Sequence, residues 1–390
     1  MINTMVAGHL SKKNGYYYAV LNYTDELGKR KTKWFRTGLP EKGNKKKAEA
    51  FLAEIRREFQ PPKTMIPNED ILFADFMEEW LEVIRMSVAI PTYASYCNMV
   101  RKAIVPYFRE KGITLKELTT SDIEKYYIHE SKRVSAATVI HYHANIHKAL
   151  KYAVKHKLIA SNPADQVERP KKTRYIGSYY DAEEVSQLLE VSKGSKLELP
   201  IMLAAFYGLR RSEVIGLKWN AVDFDRDTIT IQHTVTSCNV DGKRVMVAAD
   251  TTKTKSSLRT LPLVPFVKER LLLLREEQKE NRRLCGRSYN KEYLDYVCVN
   301  EIGDLINPHC VTRDFPKLLE KHNLKHIRFH DLRHSCASLL LDNGVAMKQI
   351  QEWLGHSDFS TTANIYAHLE YKSKVNSANA MLNGLGLASE

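Results

Sequence analysis

Apolar positions along this chain follow strand spacing first, helical spacing next, and a mixture of the two last. Residues 15–38 read as short strands: Tyr16-Tyr17-Tyr18-Ala19-Val20-Leu21 is rich in β-formers, and Asp25-Glu26-Leu27-Gly28 supplies a turn. Residues 29–35 then alternate cationic with other side chains before Thr37-Gly38. A helix is predicted over 45–59, with Ala48, Phe51, Leu52 and Ile55 on one face. The proline-rich stretch from Pro61 to Pro67 breaks all periodicity and reads as a linker.

Residues 70–160 keep helical spacing. Ile71, Phe73, Phe76, Trp80, Leu81 and Ile84 form the first stripe, and Pro91 opens a second pattern. Thr119 or Ser121 is placed to cap a third helix, with Glu124 completing a capping box. A fourth is predicted over 136–157. Asn162-Pro163 ends the block, and Arg169-Pro170-Lys171-Lys172 reads as a second linker. Beyond it helices are expected at 181–191 and 197–207, strands at 228–236 and 243–249 joined at Asp241-Gly242, and helices again over 266–280 and from 310 onward. The expected fold is therefore multidomain: a small sheet-plus-helix domain over 1–62, an all-α domain over 68–165, and a mainly α (α+β) domain over 175–390.

Charge changes this picture. The chain carries a formal +13, and residues 1–62 alone hold a net +7. A polyanion is the natural partner, with nucleic acid ahead of a membrane surface, since no basic amphipathic anchor, lipidation motif or ~20-residue apolar run occurs. A basic strand pair carrying Lys29, Arg30, Lys31, Lys33 and Arg36 among aromatics could lie in a DNA groove. A solvated sheet face with aromatics packed beneath explains the same pattern. Lys148, Lys151 and Lys155 on the fourth helix are DNA-contact candidates, with an ordinary exposed face as the alternative. Six scattered cysteines without a Cys-x-x-Cys pair fit reduced, buried thiols better than a disulfide framework or a zinc site. With no signal-peptide pattern at the start, a cytosolic, nucleoid-associated protein is expected.

Four clusters bear on chemistry. They are Gly208-Leu209-Arg210-Arg211-Ser212-Glu213; Lys253-Thr254-Lys255 with Arg259-Thr260-Leu261-Pro262; His330-Asp331-Leu332-Arg333-His334; and Leu354-Gly355-His356 followed ten residues later by Tyr366. His330 and Arg333 are three apart and share a helix face, near a helix start that favours an anion. A second guanidinium at Arg210 can grip two phosphate oxygens in a planar fork. Two arginines, two histidines and a lysine describe a site for a phosphate gaining charge, and a tyrosine can serve as its covalent nucleophile. No acidic triad, metal-ligand set or phosphate-binding glycine loop accompanies them, so no metal or other cofactor is expected.

In this order the clusters closely resemble the tyrosine recombinase (phage-type integrase) family. The match runs through Gly208-Leu209-Arg210, Lys253, His330-x-x-Arg333, Leu354-Gly355-His356 and Tyr366, with Ser360-Thr361-Thr362 and Tyr366-Ala367-His368 around the nucleophile. It spans about 160 residues of the C-terminal half. The resemblance implies that Tyr366 attacks a DNA phosphate to form a 3′-phosphotyrosyl link and free a 5′-hydroxyl. It implies that Arg210 and Arg333 hold the non-bridging oxygens, that His330 and His356 assist by hydrogen bonding and proton transfer, and that Lys253 protonates the leaving oxygen. Lys255 competes with Lys253, and Tyr371 with Tyr366; the family's spacing favours Lys253 and Tyr366. Glu213 reads as a support for Arg210 or as an ordinary helix carboxylate.

The resemblance further implies an integrase of a mobile element acting on core and arm sites in double-stranded DNA. Its tail, with Val375, Ala378, Met381, Leu382 and Leu385 at roughly helical spacing, is expected to link protomers into a tetramer. An excisionase or DNA-bending accessory protein is a possible partner. The rivals are a type IB topoisomerase, which shares the covalent chemistry, and a non-catalytic DNA-binding regulator. A metal-dependent nuclease ranks last.

Overall fold

The structure, a computed structural model, describes residues 6–24, 30–59, 71–171, 178–250, 258–355, 381–382 and 384–385. The chain divides into two compact units, Met1–Arg174 and Tyr175–Glu390.

The first unit begins with three antiparallel strands in sequential order, β1 (Ala7–Lys13), β2 (Tyr16–Thr24) and β3 (Arg30–Pro40). Strand β1 lies outside the predicted range of 15–38. Its sequence, AGHLSKK, lacks the aromatic and β-branched residues that betray β2, and pairing along the whole of β2 makes it a strand. Helix α1 (Lys45–Glu58) packs on one face of this sheet, the face carrying Tyr17, Ala19, Leu21 and Phe35.

A helical block follows: α2 (Phe73–Ile84), α3 (Ile90–Met99), a π-turn at Val100–Ile104 leading into α4 (Val105–Lys111), α5 (Thr120–Ser131) and α6 (Ala136–Lys155). Its core is aromatic. Phe73, Phe76, Trp80, Phe108 and Tyr126 are almost fully buried, and Phe73 meets Phe108 edge-on at 4.8 Å. Thr119 caps α5 as expected, but Asp122 rather than Glu124 closes the capping box. The box needs its carboxylate at the third helical position, and Asp122 occupies it.

In the second unit, α7 (Ala182–Ser192) and α8 (Glu198–Tyr207) lead through a sharp turn into the short α9 (Arg211–Gly216). Two small sheets come next. One has β4 (Val222–Asp223), β5 (Thr228–Ile231) and β8 (Arg259–Pro262) in the order β4-β5-β8. The other is a hairpin of β6 (Thr234–Val240) and β7 (Lys243–Ala249), turning at Asp241-Gly242 with both residues at positive φ. The single strand predicted over 228–236 is thus two strands, broken at Gln232-His233, because β5 pairs with β8 while β6 pairs with β7. Helices α10 (Pro265–Cys285), α11 (Pro308–Lys321), α12 (Leu332–Asp342) and α13 (Met347–Leu354) complete the unit. Its core gathers Leu203, Ala204 and Tyr207 of α8, Val214 and Ile215 of α9, Ile229 and Ile231 of β5, and Phe315 and Leu332. The chain is mixed α and β, as expected, with helices dominant. Among the described residues no helix is long and apolar enough to cross a membrane.

Candidate functional site

Two helices of the second unit end on glycines in the left-handed conformation, Gly208 after α8 (φ 63°) and Gly355 after α13 (φ 68°). This conformation is cheap only for glycine, and it turns the last carbonyls of each helix out of the helical ladder. Arg333, on the first turn of α12, takes them. Its Nη1 donates to the Gly208 carbonyl at 2.5 Å and its Nη2 to the Leu354 carbonyl at 2.6 Å. A guanidinium only 2% exposed is thereby held against two helix C-termini, whose partial negative charge offsets part of the cost of burial. Burial, with Arg210 nearby, pushes Arg333 down to about 9, so it stays charged at neutral pH.

Arg210 stands between these helix ends. Its Nη2 donates to the Gly355 carbonyl at 3.3 Å, and its Nη1 pairs with Glu213 at 2.6 Å. Glu213 is 2% exposed and serves both sides of the site. It accepts from the Arg210 backbone N–H at 3.0 Å and from Arg259 Nη2 at 2.9 Å. Burial alone would raise its pKa, but Arg259 and Arg210 hold the carboxyl below its ordinary value. Of the two readings of Glu213, the supporting carboxylate is the one the contacts describe. In the sequence Arg259 is part of a basic stretch. Its burial, 8% exposed, is the signal that Arg-x-Leu-Pro in a strand held but charge alone could not disclose. Arg211 points elsewhere and donates to the Thr312 hydroxyl.

His330 lies not within α12 but in the single 3-10 turn before it, Phe329–Asp331. Asp331, 1% exposed, locks that turn by accepting from the Arg328 N–H at 2.8 Å and its guanidinium at 2.7 Å. Ser335 continues the anchoring: its hydroxyl donates to the Asp331 carbonyl and accepts from the Tyr180 N–H. His330 keeps solvent access, yet the enclosure of its ring, with His334 and Arg333 beside it, pushes it down to about 4. The ring is therefore neutral at physiological pH, with a nitrogen free to accept a proton. His334 packs edge-on at 5.6 Å.

Arg210, Arg333 and Glu213 are thus brought together, with His330 one turn away on the same run of chain. Lys253, Lys255, His356, Tyr366 and Tyr371 lie outside the described residues, as does Lys29. The other cationic candidates divide. On the sheet face away from α1, Arg36 lies over the Tyr16 ring and Trp34, 52% exposed, meets Tyr18 edge-on; Arg30 shares that face. Lys31 and Lys33 belong to the opposite face, where Lys33 sits over Phe35 and Phe59 and burial lowers its pKa. On α6, Lys151 and Lys155 are exposed, while Lys148 folds back over Tyr96 at 5.1 Å. Among the described residues no group of three His, Cys, Asp or Glu could hold a metal ion.

Guanidinium groups anchored on helix ends, with a neutral histidine beside them, are an arrangement chemically suited to an anionic group such as a phosphate. Residues 178–373 match the Phage integrase family, and residues 72–131 match the Phage integrase, N-terminal SAM-like domain. The chain belongs to the phage integrase family and is a tyrosine recombinase, an enzyme that cleaves and rejoins DNA at specific sites. It is 29% identical to a protein named Tyrosine recombinase XerC-like from Caldanaerobacter subterraneus subsp. tengcongensis, over 95% of this chain and 97% of that one. It is 26% identical to the ICEBs1 integrase of Bacillus subtilis, over 85% and 88% respectively. In fold it is similar to the Tn1549 transposon integrase in complex with a circular intermediate DNA, at a TM-score of 0.64 and 20% identity, over 80% of this chain and 99% of that one. It is also similar to a lambda integrase tetramer bound to a Holliday junction, at a TM-score of 0.56 and 17% identity, over 91% and 94%.

Proposed function

We propose that this chain integrates and excises a mobile element through a 3′-phosphotyrosyl intermediate at Tyr366. The observation that carries this reading is the pair of guanidinium groups, Arg210 and Arg333, anchored on adjoining carbonyls of Gly355 and Leu354. His356 follows Gly355 directly in the sequence. Arg210, a third exposed, and Arg333 would grip the non-bridging oxygens. The Tyr366 oxygen attacks phosphorus, its proton passing to neutral His330 or to His356. The bond from phosphorus to the 5′ oxygen breaks as Lys253 supplies that oxygen with a proton. Attack by the 5′-hydroxyl of a second strand reverses each transfer. Energy is conserved in the phosphotyrosyl bond, so the exchange consumes no nucleotide.

The division of labour proposed for the chain assigns arm-site binding to residues 1–62, core-site binding to 68–165 and catalysis to 175–390. The open sheet face with Trp34, Arg36 and Arg30 supports the first assignment. Assembly as a tetramer on DNA through the C-terminal tail is supported by the lambda integrase tetramer and by exposed Met381, Leu382 and Leu385. Direction is assigned to an excisionase or DNA-bending partner.

The test is covalent trapping on duplex DNA carrying the junction of the element's two ends, nicked near the scissile phosphate, without added metal. Wild-type protein is expected to give a denaturation-resistant adduct, Tyr366→Phe none, and Arg210→Lys far less. An adduct that survives Tyr366→Phe overturns the nucleophile and moves the search to Tyr371.

A further inference from the structure

Residue His233, in the break between β5 and β6, has no part in the chemistry above. Its side chain is 6% exposed, an uncommon burial for an imidazole, and both ring nitrogens are engaged. Nδ1 lies 2.5 Å from Asp250 Oδ1 and Nε2 lies 2.9 Å from the Tyr296 hydroxyl. A carboxylate only accepts, so Nδ1 carries the proton and Nε2 accepts from Tyr296. Burial lowers the His233 pKa and raises that of Tyr296, which keeps both neutral in these roles. Lys218 also faces this cluster, over the Tyr296 ring at 5.1 Å and 3.9 Å from Asp250, and Asp295 and Glu292 lie close enough to act on Tyr296.

What this cluster fixes is the position of Asp250. Asp250 directly follows β7, and Lys253 is three residues beyond it, so their Cα atoms are within about 11 Å of each other. On its other side His233 presses on α9. A Cβ on Gly216 would come within 2.6 Å of the His233 carbonyl, and Tyr296 bridges to Lys218, two residues past the end of α9. After the lysine segment the chain is tied to the same helix again, by Arg259 on Glu213. Both flanks of residues 251–257 are therefore fastened to α9, whose N-cap is Arg210.

We propose that His233 is a positioning residue: acting through Asp250, it sets the chain that leads to Lys253 at a fixed distance from α9 and Arg210. This rests on the assignment of Lys253 as the donor to the leaving 5′ oxygen. The side chain of Asp250 is 83% exposed, so the tether can be cut there without disturbing the core.

The experiment measures single-turnover cleavage, at saturating protein, of the nicked junction duplex with either the ordinary scissile phosphate or one whose bridging 5′ oxygen is replaced by sulfur. A thiolate leaves without needing a proton, so a defect confined to the acid disappears on the sulfur substrate. Wild type, Lys253→Ala, His233→Phe and Asp250→Ala are compared. Expected is a fall of ~10- to 100-fold for Asp250→Ala and His233→Phe on the oxygen substrate, part of what a positioned acid contributes. On the sulfur substrate both are expected within a few-fold of wild type. Equal slowing on both substrates, or no slowing on either, overturns the proposal while rescue of Lys253→Ala leaves the lysine assignment standing. A Lys253→Ala variant slowed equally on both overturns the assignment and the proposal with it.

Discussion

Among the described residues in the helices of the first unit one carboxylate, Glu130, is buried to 1% exposure, and its partner Arg133 stands 52% exposed with its charge in water. The second unit buries Glu213, Arg259, Asp331 and Arg333, each to 8% exposure or less. Three of these four form one connected cluster: Arg259 pairs with Glu213, and Arg333 reaches the carbonyl two residues before Arg210, Glu213's other partner. A helical bundle needs no such arrangement for stability, because apolar packing serves it better than buried ions. Charge concentrated out of water is what the proposed grip on a phosphate calls for, since a low dielectric strengthens every interaction made there. The contrast between the two regions separates residues that shape a surface from residues preorganised for chemistry.

The contrast breaks most sharply at Arg333. Arg333→Ala is expected to lower covalent adduct formation by roughly 10³-fold, as removal of a preorganised transition-state donor does, with DNA binding at low salt retained. A loss below tenfold would place the phosphate elsewhere. Glu213→Ala should follow. It breaks the buried Arg259–Glu213 pair and is expected to cost about 3–5 kcal/mol in chemical denaturation, the range for a buried pair missing one partner. Glu130→Ala is expected to cost only about 1–2 kcal/mol in the same measurement, because exposed Arg133 regains water. Equal costs at the two carboxylates would erase the distinction drawn here.

Acid sharpens the same comparison through histidines on both sides of it. His143 in the first unit and His330 in the second are both pushed down to about 4, burial being the main cause in each. An unfolded chain takes up those protons near pH 6.5, whereas the folded one does not until about 4. Their contribution is complete above about pH 6.5 and is lost as the pH falls towards 4. The melting temperature should decline over that window, and His143→Phe should flatten the decline. Smallest of all is Arg109→Ala. Its pairs with Asp75 and Glu78 are surface contacts, and the melting temperature should not move.

The candidate site was legible in the sequence where a residue's chemistry and its spacing pointed the same way. Gly208-Leu209-Arg210 could be read because a helix end and a guanidinium each carry physical meaning, whereas the shared helix face expected of His330 and Arg333 gave way to a 3-10 turn that holds His330 ahead of α12. Arg259 was present in the same reading without a role, since burial of a cation depends on a partner 46 residues away. Strand β1 was missed because polar, small residues become a strand only by pairing. The break at His233 was missed for a related reason: Thr, Ile and Val continue through it, and only the choice of two different partner strands divides the run. Asp122 replaced Glu124 because a capping box depends on position to within one residue, finer than hydrophobic spacing resolves.

Gly208 carries one more consequence. Its left-handed φ disfavours every other residue, and the space a Cβ would need is filled by the Leu354 side chain, with the Cys336 sulfur and Arg333 close behind. Two helix ends therefore meet across bare backbone. For anyone retargeting this enzyme by directed evolution, that position is a fixed point: libraries gain nothing by varying it. Diversity is better spent on exposed positions such as Trp34 and the lysines of α6, where a new side chain leaves the packing in register.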